Sequence, residues 1–430
     1  MLRVATVQAR PGMTLALPIY HPRRPDTILL KAGVTLDAHS IGRLRDIELP
    51  EMWIRYPSLE FLAEYVSPEI LCARGELSLA LRAGFEGVVS SAHAKLEYGE
   101  YRRAIASLLD KVATSPRAAI YLGEMSADDP LGMRHAASVS YLAMLLGLKL
   151  DFHLIRQRAR LNPASARDVS NLGLGALLHD VGMLRLDPMV IDRWKQAHNQ
   201  NDPEWRQHVR VGYDMVRGEV EPSAAVVILH HHQRWDGTGF PRRRAISGEI
   251  HDFTGENIHV FARIAFVADV FDRLVRPEGA DPVPTVRALR MLRGEPYRNW
   301  IDPIVFKGLL AVAPAYPPGS IVRLSDGRMG AVVEWFPEDP CRPTVQIIDE
   351  DEGAPVIHTG DRERERIALR RHPDLTITHV GGVDVSRDNF YPSSPGEFDL
   401  ALHEKGGVSI SGDETIAPHE ESDDHAAGAA

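Results

Sequence analysis

The spacing of apolar and polar residues along the chain changes character twice. Residues 1–60 hold short runs typical of strands, such as VATVQ and TLALPIY, and a helical period begins at TLDAHSIGRLRDI. From about residue 75 to 315 the apolar positions recur with the period of an α-helix, as in HAASVSYLAMLLGLKL and NIHVFARIAFVADVFDRL. After PAYPPGS the runs IVRL, GAVVEWF and PTVQII are typical of short antiparallel strands.

These changes predict a multidomain protein with a central all-α bundle. We predict an N-terminal α+β regulatory module at 1–75, a helical domain at 76–317 and a small β domain at 318–382. Residues 383–430 are predicted to be a largely disordered acidic tail. Between 404 and 430 the chain has seven acidic residues and one lysine, which places −6 of its net charge of −10 there. That stretch has too few apolar residues to form a core.

Composition narrows the class of protein. The chain has 430 residues, of which 44% are hydrophobic and 25% charged, as is usual for a globular protein. Its two cysteines, Cys72 and Cys341, form no CxxC pair, which excludes a cysteine zinc site and favours a reducing compartment. No run approaches the roughly 20 apolar residues of a membrane span. We therefore expect a cytoplasmic protein, and the near-neutral remainder of the chain predicts no binding to duplex nucleic acid.

Candidate chemistry lies in a series of histidines and aspartates at the ends of successive apolar helices. A single histidine on a helix is more often solvated or satisfied within a core, and a His-Asp pair can be a hydrogen bond on one helix face. Imidazole and carboxylate in combination, however, suit first-row transition metals. Seven ligands are too many for one metal, so the series predicts two metals with a bridging carboxylate. The residues are His135, His179, Asp180, His208, His231, His232 and Asp269.

The series resembles the HD-GYP family, a branch of the HD superfamily of metal-dependent phosphohydrolases. The resemblance runs from about Pro130 to Val322 and is carried by HAASVSYLAMLLG, LLHDVG, QHVRVGYDMV, HHQRWDGTGFP and ARIAFVADVFDRL. YPPGSIVRLSDG resembles the segment that follows the HD-GYP domain in many such chains. PGM and LLKAG, near the N-terminus, resemble a module found ahead of HD-GYP domains.

The resemblance implies an HD-type helical bundle with a metal centre that hydrolyses a cyclic dinucleotide. The seven residues would be its ligands, with Asp180 as the bridge and catalytic residue and His230 outside the shell. The implied cofactors are two divalent transition metals, iron or manganese first. The implied reaction converts the bacterial second messenger cyclic di-GMP to pGpG or GMP through a metal-activated hydroxide. As partners we expect a cyclic dinucleotide, and either a second copy of the chain or another signalling protein.

Four positions depart from the family pattern. Met183 stands in the place of the lysine of HDxGK, Gln233 in that of the glutamate of HHE, and Phe240 in that of the eponymous tyrosine. Leu131 stands where members with three metals have a glutamate, so we expect two. A lysine can bind a phosphate oxygen, whereas a thioether cannot. Loss of one such group costs on the order of 10²–10³ in rate.

The remaining assignments concern the substrate. We assign Arg276 and Phe240 to substrate binding and consider Arg185 a weaker substitute for the missing lysine. Three functions stay open: a slow phosphodiesterase, a catalytically impaired receptor or scaffold for cyclic di-GMP, and a structural helical domain without metal. The intact ligand series favours the first function, and Met183 favours the second.

Overall fold

The computed structural model describes residues 1–21, 24–47, 49, 51–90, 96–122, 132–244, 250–251, 253–277, 280–351, 354–355 and 364–401. Leu131, on which the prediction of two metals partly rests, lies outside the described residues, as do residues 402–430 of the predicted tail.

Helices make up the middle of the chain. They are α1 (Ala38–Asp46), α2 (Pro68–Ser90), α3 (Tyr98–Thr114), α4 (Met133–Lys149), α5 (Asp151–Gln157), α6 (Pro163–Ala166), α7 (Ser170–Leu177), α8 (Pro188–Ala197), α9 (His208–Val216), α10 (Pro222–His230), α11 (Val260–Val275), α12 (Thr285–Arg293), α13 (Tyr297–Trp300) and α14 (Pro303–Val312).

Strands lie mainly at the two ends of the described chain. They are β1 (Leu2–Ala5), β2 (Ile19–His21), β3 (Arg24–Leu30), β4 (Glu51–Ile54), β5 (Arg243–Arg244), β6 (Ile250–His251), β7 (Ile321–Leu324), β8 (Met329–Glu334), β9 (Thr344–Ile347), β10 (Glu350–Asp351), β11 (Ala354–Pro355), β12 (Arg366–Ala368), β13 (Ile377–Val380) and β14 (Val383–Asp384). The C-terminal sheet has the antiparallel order β12-β9-β8-β7-β13-β14, and β1 pairs with β4 in the N-terminal module.

Helix α4 lies at the centre of the bundle. It is buried on nearly every side, from Met133 through Gly147, and it packs against α2, α7, α11 and α14. A helix that is apolar all round belongs inside a core. Helix α10 adds a further layer against α7 and α9. This packing brings the ends of α4, α7, α9 and α10 towards the middle of α11.

The C-terminal sheet is buried on both faces by different partners. Val322 and Val332 belong to the core shared with the helical bundle. Ile321, Ala331 and Val333 belong to a second core shared with the N-terminal module. Successive residues of a strand point to opposite faces. The apolar run of β8 is therefore continuous because each face covers a different module.

The coarse architecture agrees with the sequence prediction: a helical centre, a small N-terminal α/β region and a C-terminal β domain. The domain boundaries stay predictions, although α2 begins at Pro68, inside the segment assigned to the N-terminal module. None of the described helices is long and apolar enough to cross a bilayer alone. A pair bent by 83°, Met133–Lys149 with Asp151–Gln157, qualifies by length and composition only.

Residues 383–401 differ from the predicted disordered tail, because they form β14 and pack on the bundle. Phe390 and Phe398 are buried in the main core, and the guanidinium of Arg293 lies over both rings at 5.1 and 4.9 Å. Arg287 Nε donates to Asp388 Oδ2 at 2.8 Å. The predicted tail was placed too early, because the acidic composition of residues 404–430 does not hold for residues 383–401, where Phe390 and Phe398 anchor the chain to the core.

Candidate metal centre

The seven predicted ligands lie together in the bundle, in two adjoining groups. Within each group, the ligand atoms are all within 4.8 Å of one another. The four-residue group consists of Asp180, His208, His231 and His232, and the three-residue group consists of His135, His179 and Asp269.

Asp180 faces both groups with different oxygens. Its Oδ2 is 3.2 Å from His179 Nε2 in the three-residue group. Its Oδ1 is 3.4 Å from His208 Nε2 and 3.5 Å from His231 Nε2 in the four-residue group. A carboxylate with one oxygen towards each group has the geometry of a bridge between two cations.

Helix ends place most of these side chains. His135 is in the first turn of α4, and His208 is the first residue of α9. His179 follows the end of α7, and His231 follows the end of α10. Asp269 lies within α11, where it is almost fully buried. The predicted ligands are thus contributed by five helices and held by the core between them.

Backbone carbonyls fix the orientation of three imidazoles. Nδ1 of His179 lies 2.8 Å from the carbonyl oxygen of Ala176, and Nδ1 of His231 lies 3.0 Å from that of Ile228. Nδ1 of His208 lies 2.7 Å from the carbonyl oxygen of Trp205. A carbonyl only accepts, so Nδ1 carries the proton and Nε2 presents its lone pair to the centre. The carbonyls of Ala176 and Ile228 are available because the last four carbonyls of a helix lack intrahelical partners.

A carboxylate performs the same task for His135. Its Nδ1 lies 2.7 Å from Asp272 Oδ2, and Tyr121 Oη donates to Asp272 Oδ1 at 2.7 Å. No sequence motif pointed to either supporting residue. Asp272 follows Asp269 by three positions, a spacing that places both on one helix face and could have drawn attention to it. Nothing in the local sequence of Tyr121 signals its contact with a residue 151 positions away.

The four-residue group backs onto an aromatic cluster. The ring of Phe240 stacks on that of His232, with centroids 4.5 Å apart, and Trp205 lies 4.6 Å from the ring of His208. Met183 is half-buried and packs against this cluster. Gln233 Nε2 donates to the carbonyl oxygen of Pro241 at 2.6 Å. Phe240 therefore supports a predicted ligand directly, and its predicted contact with substrate stays a prediction.

Gly182 permits the close approach of the turn after Asp180 to α9. A Cβ at this position would lie 2.0 Å from the carbonyl oxygen of His208 and 2.6 Å from the amide nitrogen of Gly212. Neither backbone atom can move without shifting α9. The glycine of HDVG is therefore required by the packing that brings His208 towards Asp180.

Three arginines and His230 complete the surroundings. Arg273 Nη2 donates to Asp180 Oδ2 at 2.8 Å, and its Nε donates to Asp269 Oδ1 at 2.7 Å. Arg276, at the end of α11, is half-buried and acts electrostatically on Asp272. Arg185 ends the short turn that follows Asp180. His230 points elsewhere, with its ring 5.0 Å from that of Phe253.

The protonation states suit metal binding at most positions. Burial lowers the pKa of His208 to about 4 and holds that of His232 well below its usual range. Burial opposes ionisation of Asp180, but His179, His231 and Arg273 hold its pKa well below the ordinary value. For His135, burial and Arg273 lower the pKa, but hydrogen bonds to Asp269 and Asp272 outweigh them and raise it to about 9.

Three buried polar atoms show that the donor set fits a metal. His179 Nε2, Asp180 Oδ1 and His232 Nε2 have no hydrogen-bond partner among the described residues. Leaving such atoms unpaired is costly, so each needs an explanation. All three are donor atoms of the type that iron, manganese or zinc binds.

A separate cavity of about 680 Å³ lies between the N-terminal module, the bundle and the β domain. Its lining includes Phe61, Tyr65, Leu145, Trp335 and Arg366. None of the seven predicted ligands lines it, so this cavity is distinct from the metal centre.

Comparisons with known proteins identify two of the modules. Residues 130–305 match the family described as HD domain, and residues 321–381 match the KOW domain associated with HD domain. The six-stranded sheet thus lies in the segment matched by the KOW domain. From the sequence pattern, this segment was predicted only to be a small β domain.

Curated relatives are phosphodiesterases of cyclic dinucleotides. The chain is 27% identical over 296 residues to the cyclic di-GMP phosphodiesterase PA4108 of Pseudomonas aeruginosa, covering 65% of this chain and 61% of the relative. It is 31% identical over 114 residues to the cyclic di-GMP phosphodiesterase response regulator RpfG of Xanthomonas campestris, covering 26% and 28%. It is 28% identical over 100 residues to the 3'3'-cGAMP-specific phosphodiesterase 2 of Vibrio cholerae, covering 23% and 17%.

The chain spans about three fifths of the first of these relatives and less than a third of the other two. The HD match contains all seven predicted ligands. The resemblance seen in the sequence motifs is confirmed for the helical part of the chain: residues 130–305 match the HD-domain family, and the chain is similar to phosphodiesterases of cyclic dinucleotides.

Proposed function

We propose that this chain is a metal-dependent phosphodiesterase that hydrolyses cyclic di-GMP to pGpG or GMP. The observation that carries the proposal is Asp180, which turns one oxygen to each of two adjoining groups of histidines and aspartates. The named activities of the relatives supply the substrate class, since two of those described above act on cyclic di-GMP.

The two groups define where the metals are held. One ion would be held by Asp180, His208, His231 and His232, and the other by His135, His179 and Asp269, with Asp180 shared between the two groups. When bound there, divalent iron or manganese would supply Lewis-acid chemistry, which lowers the pKa of water and offsets the charge of phosphate oxygens.

The chain's own residues prepare this site in three ways. The carbonyls of Ala176, Trp205 and Ile228 hold three imidazoles with Nε2 inward, so the ligands need no reorientation. Asp180 stays ionised at neutral pH because its pKa is held low. Phe240 fixes the ring plane of His232 by stacking.

We further propose that turnover is slow, because Met183 brings no charge to the centre. Its side chain packs against the apolar cluster that contains Trp205 and Phe240, and a thioether cannot neutralise a phosphate oxygen. The same observation favours the second candidate, a receptor that binds cyclic di-GMP without turnover. We assign Arg276, at the end of α11 and close to Asp272, to a phosphate contact in either case.

One set of measurements on the full chain tests both candidates. The protein is purified without chelator, its metal content is measured by elemental analysis, and cyclic di-GMP is followed to pGpG and GMP under single-turnover conditions. We expect about two metal ions per chain, as in other binuclear hydrolytic centres, together with slow hydrolysis. Binding without any product would establish the receptor. Three tightly held ions, or none, would overturn the assignment of the centre. 3'3'-cGAMP serves as the competing substrate.

A further inference from the structure

Arg273 lies within the proposed metal centre although no sequence motif assigns it there. It follows Asp269 by one helical turn on α11 and makes two charge-assisted hydrogen bonds. One goes from Nη2 to Asp180 Oδ2 at 2.8 Å, and the other from Nε to Asp269 Oδ1 at 2.7 Å. The guanidinium thus connects the bridging carboxylate with the carboxylate of α11.

The two oxygens that Arg273 contacts both face the three-residue group. Asp269 Oδ1 is 2.9 Å from His135 Nε2 and 3.8 Å from His179 Nε2. Asp180 Oδ2 is 3.2 Å from His179 Nε2. A metal held between these histidines would take the same two oxygens that now accept from the guanidinium.

The four-residue group has no such occupant among the described residues. Asp180 Oδ1, which faces His208 and His231, has no hydrogen-bond partner, and neither has His232 Nε2. The two halves of the centre therefore differ in their carboxylates: Asp180 Oδ1, on the side of the four-residue group, is unpaired, whereas Asp180 Oδ2 and Asp269 Oδ1 accept from Arg273. Each half also presents one unpaired imidazole nitrogen, His232 Nε2 or His179 Nε2.

We propose that Arg273 is an internal competitor for the metal of the three-residue group, so that the two metals bind in order and with unequal affinity. This inference rests on the proposed binuclear centre and adds its order of loading. The first metal enters the four-residue group without displacing any side chain. The second must displace the guanidinium from Asp180 and Asp269.

The local charge explains why an arginine lies here. Asp180, Asp269 and Asp272 bring three carboxylates close together, two of them almost fully buried. Buried carboxylates that lack a cation are strongly destabilising. Arg273 offsets part of this charge before the metals do. Its side chain is 37% exposed, so the guanidinium can turn towards solvent without crossing the core.

The test is a metal titration that does not depend on turnover. Metal-stripped full-length protein is titrated with Mn²⁺ by calorimetry, and the bound metal is counted by equilibrium dialysis. The variants are Arg273→Gln, which removes the charge, and Arg273→Lys, which keeps it. Arg193→Gln is the matched control, because Arg193 also makes two ion pairs, but with Asp202 and Glu204, neither of which is a predicted ligand.

We expect the wild type to bind one Mn²⁺ tightly and a second more weakly. In Arg273→Gln the second event should tighten by at least about tenfold, since two charge-assisted hydrogen bonds no longer have to be broken. The affinity of the first binding event should be the same in every variant. In Arg273→Lys the second Mn²⁺ should bind almost as weakly as in the wild type. An unchanged second event in Arg273→Gln overturns the inference and leaves the binuclear centre standing. Absence of Mn²⁺ binding in every protein overturns the centre itself.

Thermal unfolding distinguishes competition from a loosened fold. Without metal, Arg273→Gln should unfold at a lower temperature than the wild type, because its carboxylates repel one another without a cation. With saturating Mn²⁺ the difference should shrink. A variant that is less stable and also binds the second Mn²⁺ more weakly would show that Arg273 merely supports the fold, contrary to the proposal.

Discussion

Asp180 is the residue on which both halves of the centre depend. Because its two carboxylate oxygens face different groups, we expect Asp180→Ala to empty both metal positions rather than to slow a loaded enzyme. Elemental analysis of the purified variant measures this. Gln233→Ala is the matched control. Its amide donates to the carbonyl oxygen of Pro241, and its metal content should remain close to that of the wild type. An Asp180→Ala protein that retains both metals would show that the ligand assignment is wrong.

Met183 tests the contribution of a single missing charge. We expect Met183→Lys to raise single-turnover hydrolysis of cyclic di-GMP by about tenfold or more, since one electrostatic stabiliser typically contributes 10²–10³. Part of that gain is lost because an ammonium against the apolar cluster that contains Trp205 and Phe240 is costly to bury until a phosphate pairs with it. Met183→Leu, which keeps the apolar packing, should leave the rate unchanged. A wild type that is already fast, and that lysine does not improve, would mean that another group neutralises the phosphate.

At the scale of residues, the sequence predicted those side chains of the site that belong to motifs. It did not predict the side chains that only the fold brings to the site. The seven predicted ligands stand at recognisable motif spacings, and the structure places them together. Tyr121 stands at no such spacing, and the i,i+4 spacing of Arg273 from Asp269 indicates an ion pair on a helix rather than a place in a metal centre. Tyr121 reaches the centre from the segment between α3 and α4, and Arg273 reaches it because α11 is turned with one polar stripe inward.

At the scale of elements, helix ends explain the construction of the site. Four ligands lie at or just beyond a helix terminus, and the free carbonyls at the C-terminal ends of α7 and α10 orient two of them, His179 and His231. The apolar period of α4, α7 and α11 made these helices predictable. The structure of residues 383–401 was not predictable. Phe390 and Phe398, which anchor this segment, are isolated aromatic residues without a period, and only the fold shows that both rings pack against Arg293.

Helix α11 begins at a histidine cap that makes its stability sensitive to acid. Nδ1 of His259 accepts from the backbone N–H of Phe261 at 3.2 Å. Burial, with the charges of Arg158 and Arg263, lowers the pKa of His259 to about 4, from 6.5. Between these values the unfolded chain binds more protons than the folded one, so stability falls as the pH drops from 6.5 towards 4.

Replacing the cap with a residue that does not titrate should reduce this loss. Asparagine is a good N-cap, so we expect metal-free His259→Asn to lose less stability than the wild type between pH 7 and pH 5. The measurement is the urea midpoint of both proteins at the two pH values. His208, His230 and His232, whose pKa values burial also lowers, remain in both proteins, so the difference between the two losses reports on the replacement of His259. An equal loss in the two proteins would show that protonation of His259 does not oppose folding.

At the scale of the whole molecule, the C-terminal sheet connects modules that the sequence separates. Alternate residues of β8 pack on the N-terminal module and on the bundle, and Arg3 N donates to the carbonyl oxygen of Gly319 at 2.9 Å. A sequence pattern shows that β8 is apolar, but it cannot show which module covers each face. The predicted separate β domain is therefore, in its packing, the layer between the other two modules.

This shared packing predicts that the described modules unfold together. Because the sheet cannot keep either core when its partner melts, we expect one calorimetric transition rather than one for each module. Metal binding to the native state raises its stability, so Mn²⁺ should move the whole transition upward, including the part that reports on the sheet. Asp180→Ala should show the same single transition without the shift. A second transition that stays in place when Mn²⁺ is added would mean that the sheet, despite its two buried faces, is energetically independent of the helical bundle.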